Sequence, residues 1–418
     1  MAHTTLPGFR DFYPEQLAER AYVARAWREV TQRYGFVEYD GPPLEPLELY
    51  TAKSGDEIVG QLYNFTDKGG REVAMRPEMT PTFARMVSAR ANSLRKPTRW
   101  FSTPQLFRYE RQQKGRLREH YQLNVDIVGE SGVAGDAELL ACAIDICREL
   151  RLGSGDVVVR VSDRRVMQAY LAALQIADGA LPAVFAVVDK LARQPRDVAA
   201  EKLRAAGLDE EQVGAVLVIP DATIETVRSV LTDEAGSALV ADIERVFDYV
   251  DALVPGGRAW LQFDMSIVRG LAYYTGMVFE LFDRVGEFRA ICGGGRYDNL
   301  LGALGGTPLP ALGFGMGDVV LTELLRARGL LPPQEPSLDY WLTADEDVPV
   351  PVVMTEACKL RALGHSVEYS LRPQSLSKQR KAAKAAGART LIHITNVASD
   401  SSGAEAQSLT RSTPRADG

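Results

Sequence analysis

The sequence predicts a mixed α/β protein of the α+β type, and three observations lead there. At 418 residues the chain exceeds the size at which one hydrophobic core stops growing, so two or three domains are expected. From about Ala177 to Pro255 the pattern is mostly helical, whereas the stretches on either side alternate like strands. From about Asp339, strand and helix patterns alternate to about Ile394, as in a small α/β unit.

The elements follow in order. FYPEQLAERAYVARAWREVTQRYGF has apolar residues at Leu17, Ala21, Ala24 and Trp27 with Gly35 as a stop, which predicts a long helix. Gly41, Pro42 and Pro43 break the chain before LEPLELY. QLYNFTD and REVAMRPEMT, joined by KGG, predict a hairpin of two strands. The second strand leads through Arg76, Pro77, Glu78 and Thr80 into the helix pattern TFARMVSARA. A carboxylate at that junction suits a ligand ammonium group, or simply a helix start, which favours acids.

WFSTPQLF and YQLNVDIVG then flank a basic loop with Arg108, Arg111, Lys114, Arg116 and Arg118. This predicts a second hairpin, open to two readings. It is a solvated surface, or it binds a polyphosphate and the end of a nucleic acid through guanidinium forks. GVAGDAELLACAIDICRELRL predicts an amphipathic helix with Cys142 and Cys147 as small buried hydrophobes. DVVVRVSDRRVMQAYLAAL reads as strand into helix, and the helical insertion follows. WLQFDMSIVRGLAYYTGMVFELF and FRAICGGGRYDNLLGALGG predict two strands whose glycines allow close approach of a ligand or another backbone. PALGFGMGDVVLTELLRARGL predicts a last glycine-punctuated strand and helix.

Composition narrows the chemistry. A net charge of −7 excludes nucleic-acid binding by bulk electrostatics, so any RNA contact rests on local patches. The four cysteines, Cys142, Cys147, Cys292 and Cys358, lack CxxC spacing and read as reduced thiols of a cytoplasmic protein. The four histidines form no HxxxH or HExxH pair, so a metal signature is missing. No apolar run is long enough to cross a membrane. GGGRYD fits neither GxGxxG nor GxxxxGK[ST], which removes the phosphate-loop folds.

GFRDFYP, RPEMT, the FRYER–QKGR–REH–Q hairpin, VRGLAYYTGMVFE, GGGRYDNL and GFGMG, in that order, resemble the catalytic core of the histidyl-tRNA synthetases, a class II aminoacyl-tRNA synthetase family. The resemblance covers about Thr4 to Leu325 apart from the insertion. It implies an antiparallel-sheet core, activation of L-histidine by ATP to histidyl-adenylate, and transfer to tRNA(His). It also implies a cytoplasmic homodimer.

Residue by residue, the resemblance assigns Arg108 to the α-phosphate and the substrate carboxylate, Arg116 to the outer phosphates and Arg269 to the α-phosphate from the other side. Glu78, with Thr80 beside it, would hold the α-amino group. Gln122, Asp126, Tyr274 and Tyr297 would surround the imidazole, with Tyr273 also among the histidine-binding residues. Mg²⁺ is expected with ATP, with Glu110 as the candidate ligand. Four positions depart from the family pattern. Asp126 stands where Glu is common, Ala272 where Asp is common, and Val319 and Val320 where Glu and Arg are expected over the nucleotide. Either another cation, with Arg296 as the candidate, covers ATP, or ATP binding is weakened.

The expected division is a catalytic core over 1–326 with the insertion at about 170–256, an anticodon-binding-like α/β domain over 337–396, and a disordered tail over 397–418 rich in Ser, Ala, Gly and Thr. Lys378, Arg380, Lys381 and Lys384 give the small domain a basic patch, or only a solvated helix face. Beside the ligase, two readings remain open. One is a histidine-binding paralogue such as the regulatory subunit of ATP phosphoribosyltransferase, and the other is a pure RNA-binding or stress-sensing module.

Overall fold

The computed structural model describes residues 4–51, 59–110, 115–268, 273–333, 338–396 and 407–412. The chain divides into two compact units, Met1–Pro332 and Pro333–Gly418.

The first unit opens with the helix Pro14–Arg33, which Gly35 follows at φ +74°. Its core face is Val23, Ala26, Trp27 and Val30, while Leu17 is exposed. The stripe expected from Leu17 is therefore out of phase. Alanines make several faces equally apolar, and the bulk of Val23, Trp27 and Val30 selects the one that packs.

The strands of this unit are β1 (Val37–Glu38), β2 (Leu44–Pro46), β3 (Tyr63–Thr66), β4 (Glu72–Met75), β5 (Thr98–Ser102), β6 (Gln105–Phe107), β7 (Glu119–Val128), β8 (Val157–Asp163), β9 (Leu261–Phe263), β10 (Met277–Asp283), β11 (Cys292–Arg296) and β12 (Ala311–Gly317). Among the described residues a nine-stranded sheet runs β1-β5-β7-β12-β11-β10-β8-β9, with β6 also on β7. Its pairings are antiparallel except β1 with β5 and β8 with β9. A small sheet, β2-β4-β3, stands apart.

Two expected strands are broken. WFSTPQLF is two strands, because Pro104 has no N–H to continue a ladder, and β5 and β6 pair with β7 one after the other. Among its described residues, VRGLAYYTGMVFE becomes a strand only at Met277, so Tyr273 and Tyr274 sit on the approach to β10.

The sheet's alternation separates core from site. Leu123, Val125 and Ile127 of β7 share the buried cluster with Phe314 and Met316 of β12 and Phe279 and Leu281 of β10. The helix Val133–Glu149 and the C-terminal half of Pro14–Arg33 join that cluster. Side chains of opposite parity, Gln122, Asn124 and Asp126, therefore occupy the other face.

Between β8 and β9 run the helices Arg164–Ala173, Leu181–Val188, Arg196–Ala205, Glu210–Leu217, Ile224–Val230 and Glu234–Leu253. Gly207, at φ +92°, ends one of them, and the capping box of Asp209 with Gln212 starts the next.

The second unit holds β13 (Leu338–Ala344), β14 (Val367–Tyr369), β15 (Ala388–Asn396) and β16 (Gln407–Ser412), ordered β14-β13-β15-β16. The first three are mutually parallel, linked by the helices Val350–Ala362 and Leu376–Ala385. Disorder throughout 397–418 was too broad an expectation. Gln407–Ser412 pairs antiparallel with β15, whose edge offers backbone groups that a short alternating segment can satisfy.

Candidate active site

The site is assembled from distant segments by one ion-pair network. Arg10 donates from Nε to Glu119 at 2.6 Å and lies 2.9 Å from Asp318. Gln105 donates to the other oxygen of Glu119 at 3.0 Å, and Asp318 accepts from the Tyr121 amide at 3.0 Å. Glu119 and Asp318 are both buried, and a buried carboxylate needs such partners. The GFRD segment thus clamps the start of β7 to the helix Asp318–Ala327.

On the polar face, Gln122, Asn124 and Asp126 lie opposite Gly317, Gly315 and Gly313 of β12. Gly293 and Gly295 of β11 continue these rows beside Gly315 and Gly313. A Cβ on Gly315 would come within 2.9 Å of the Gln122 carboxamide, and one on Gly313 would strike Asp126. The polar side chains of β7 therefore lie over bare backbone, which is why this sheet needs glycine inside its strands.

Above them is a cavity of about 70 Å³, walled by Glu78, Thr80, Arg108, Gln122, Asn124, Asp126, Tyr273, Tyr274 and Tyr297. The phenol of Tyr297 donates to Asp126. Tyr273 donates to Glu78 at 3.4 Å, and its ring meets that of Tyr297 edge to face at 5.9 Å. Burial pushes the Asp126 carboxyl up to about 7, although the Tyr297 hydrogen bond pulls it down. Burial, and next the charge of Asp126, push the Tyr297 phenol well up. Arg108 is fixed by donation from Nε to the Pro77 carbonyl at 2.9 Å, which ties the basic hairpin to the segment carrying Glu78.

A second cavity, of about 280 Å³, shares Arg108, Gln122, Gly293 and Gly315 with the first. Its walls add Glu110, Arg116, His120, Glu280, Val319 and Val320. Arg116 pairs with Glu110 at 3.0 Å, and Arg108 lies 4.0 Å from the same carboxylate. Burial first, then the charges of Arg108 and Arg10, hold His120 down to about 3, so its imidazole is neutral. A small polar chamber with an anchored carboxylate thus shares Arg108 with a larger chamber lined by two arginines and two glutamates.

Arg296 does not supply the cover over the nucleotide. It is buried and donates to the carbonyls of Glu130 and Gly132 and, at 2.7 Å, to Asp136. A buried guanidinium is held by its own acceptors, and here these belong to the start of the helix Val133–Glu149. Arg111, Lys114, Arg269 and Ala272 lie outside the described residues.

A histidine–tRNA ligase of Opitutus terrae is 44% identical to this chain over 393 residues, 93% of this chain and 90% of its own length. A model of the histidyl-tRNA synthetases matches residues 8–318. The chain belongs to the histidyl-tRNA synthetase family. Histidine–tRNA ligases of Haloarcula marismortui and, for the chloroplast and mitochondrion, Arabidopsis thaliana are 40% and 39% identical. They cover 94% and 93% of this chain and 90% and 79% of their own lengths. The histidyl-tRNA synthetase structure from Nostoc sp. PCC 7120 superposes with a TM-score of 0.79 at 24% identity, covering 99% of this chain and 97% of its own. A structure described as an ATP phosphoribosyltransferase regulatory subunit/histidyl-tRNA synthetase, from Bacillus halodurans, gives 0.75 at 22%, covering 95% and 100%. At such identities the likeness is one of fold.

The reaction is therefore that of the synthetase: histidine is activated with ATP and joined to its tRNA. Three features of this synthetase site escaped sequence reasoning. Asn124 was findable, since it shares the alternating face of Gln122 and Asp126. Glu280 and His120 carried no signal, because only the sheet register and the hairpin fold bring them to the second cavity. Glu110 and Glu280 both line that cavity, and carboxylates are the ligand type that suits Mg²⁺ arriving with phosphate oxygens. No helix among the described residues is long and apolar enough to cross a membrane.

Proposed function

We propose that the smaller cavity takes L-histidine and the larger one ATP, with Arg108 at the boundary where the two react. The observation that carries this reading is the shared wall: Arg108 and Gln122 line both chambers. Glu78 receives the α-ammonium group, helped by Thr80. Asp126, Tyr297, Gln122, Tyr273 and Tyr274 enclose the imidazole, whose nitrogens both donate and accept.

The histidine carboxylate attacks the α-phosphorus of ATP, forming the new C–O–P link as the bond to pyrophosphate breaks. The terminal ribose hydroxyl of tRNA(His) next attacks the adenylate carbonyl, and AMP leaves. Neither step needs a protein nucleophile, so the residues work by position and charge. Arg108 holds the attacking carboxylate and the α-phosphate together, Arg116 the outer phosphates, and Arg269 the α-phosphate from the far side. Mg²⁺, bound by Glu110 and Glu280 with the phosphates, would screen their charge.

We assign the protein to the cytoplasm as a homodimer. The assembly is supported by the exposed apolar side chains Val37, Leu44 and Phe65 on β1, β2 and β3. The second unit offers exposed Lys378, Arg380, Lys381 and Lys384 on the helix Leu376–Ala385 as a contact for tRNA phosphates.

The test is histidine-dependent exchange of labelled pyrophosphate into ATP, followed by charging of histidine tRNA. Exchange and charging, both lost in Arg108→Ala, are expected. Tight histidine binding without exchange would overturn the assignment of the two chambers.

A further inference from the structure

A row of side chains crosses the large sheet into the smaller chamber, and the family resemblance assigns none of its polar members a role. Ser102 of β5 lies directly opposite Asn124 of β7, so the two share a face. The register of β1 on β5 pairs Val37 with Trp100 and Glu38 with Phe101, and the Tyr39 amide donates to the Phe101 carbonyl at 2.8 Å. The next step of that ladder sets Tyr39 beside Ser102, and its ring packs on Trp100 at 5.4 Å. On the other side of Asn124 the row continues as Gly315 and Gly293, which line the chamber without side chains.

The fold leaves these polar groups incompletely satisfied. Asn124 is buried and lines the chamber, and its carboxamide donates to the Gln122 carbonyl at 3.2 Å. It makes no other hydrogen bond among the described residues. The hydroxyls of Ser102 and Tyr39 are buried, and neither meets a partner in good hydrogen-bond geometry among the described residues. Burial first, and then the charge of Asp126, push the Tyr39 phenol well up, so this hydroxyl keeps its proton. Packing alone would be served by apolar side chains here, because buried polar groups without full partners cost stability. Beside a chamber, a polar ligand can satisfy them.

We infer that Asn124 is a specificity-determining residue for histidine, its carboxamide hydrogen-bonding the imidazole, with Ser102 and Tyr39 as positioning residues behind it. The inference rests on the assignment of histidine to the smaller chamber. With one N–H given to the Gln122 carbonyl, the carboxamide keeps a second N–H and its oxygen. A neutral imidazole has one nitrogen that donates and one that accepts, and an amide can meet whichever of them Asp126 and Tyr297 leave over. Ser102, the cross-strand neighbour, is within reach of the carboxamide and backs it on the side away from the glycines, with Tyr39 next in the row. A site that hydrogen-bonds the ring nitrogens rejects a ring of similar size that has none, because its own polar groups are then left unpaired.

The experiment is histidine-dependent pyrophosphate exchange, with thienylalanine, whose ring has no nitrogen, as a competing inhibitor. Wild type is compared with Asn124→Ala and Asn124→Asp, and with Ser102→Ala and Tyr39→Phe, each alone and combined with Asn124→Ala. Asn124→Ala should raise the KM for histidine about 3- to 10-fold, while the inhibition constant of thienylalanine and the KM for ATP stay within about 2-fold. Asn124→Asp keeps the size and one oxygen, so it should recover part of that loss, and it carries the test if the alanine variant does not fold. Ser102→Ala and Tyr39→Phe should shift the KM for histidine less, and add nothing to Asn124→Ala, because they act through its carboxamide. An unchanged KM for histidine in the Asn124 variants overturns the inference. So does an equal weakening of histidine and thienylalanine, which would mark a structural role. Additive effects in the double variants remove Ser102 and Tyr39 from the positioning role. If wild type itself shows no histidine-dependent exchange, the chamber assignment fails, and that result is distinct from any difference between the variants.

Discussion

Tyr297 donates its phenolic hydrogen to Asp126 in a place that neither side chain shares with bulk water. The pair joins β7 to the residue just past β11 and closes the end of the smaller chamber. A carboxylate whose folded pKa is raised is a stability element with a definite sign. The folded state holds its proton more tightly than the unfolded chain, so its contribution is full below the ordinary carboxylate range. That contribution is lost as pH rises to about 7.

His120, held down to about 3, has the opposite slope below its ordinary range, and Asp136, raised to about 6, adds to that of Asp126. The diagnostic is therefore a difference. Unliganded Asp126→Asn should gain stability relative to wild type by about 1.4 kcal/mol per pH unit as pH rises toward 7, and then level off. Denaturant melts at several pH values check this, and a pH-independent difference would refute it. The same variant should bind histidine more weakly.

Arg116 faces the larger chamber only, paired with Glu110. Arg116→Ala should raise the KM for ATP by about tenfold, and by more than that for histidine. Steady-state exchange with each substrate varied in turn decides the ranking, and the reverse order removes Arg116 from the phosphates.

Arg269 is assigned through the family motif. On that assignment its charge acts as the α-phosphate reorganises, a requirement of the transition state more than of substrate binding. Arg269→Ala should abolish adenylate formation, measured by single-turnover quench, while calorimetry still registers histidine binding. Weakened histidine binding with chemistry intact would contradict the role.

Gly315 and Gly313 should respond differently to alanine. The Cβ of Gly315→Ala meets the Gln122 carboxamide at 2.9 Å, which can swing away, so the loss falls on the KM for histidine and costs about 1 kcal/mol or less in stability. The Cβ of Gly313→Ala meets the Val125 carbonyl at 2.7 Å. Backbone cannot yield so easily, and stability should fall by a few kcal/mol. Thermal melts alongside histidine titrations separate the two, and similar melts would contradict the distinction.

Much of the site was legible because each motif carries a local chemical demand. Glycines in strand-like sequence announced a ligand or backbone approach, whereas Gln122 and Asp126 were named through the family resemblance. What stayed hidden depends on register and long-range pairing. Nothing in the sequence says that Glu280 reaches the chamber of Arg116, or that Arg296 is consumed by Asp136. The phase of the first helix was misread because alanine does not distinguish faces. A strand at Gln407–Ser412 was missed because its partner, the edge of β15, is not a property of the tail's own composition.

The clamp at Arg10 has a consequence for how the molecule comes into being. Arg10 is synthesised some three hundred residues before Asp318, which is among the last of its unit. Until the final strand and helix have emerged, Arg10 and Glu119 lack their third partner, and β7 has no glycine-bearing neighbour to lie against. A nascent chain thus carries every side chain of the hairpin before it has the strand and helix that complete the smaller cavity.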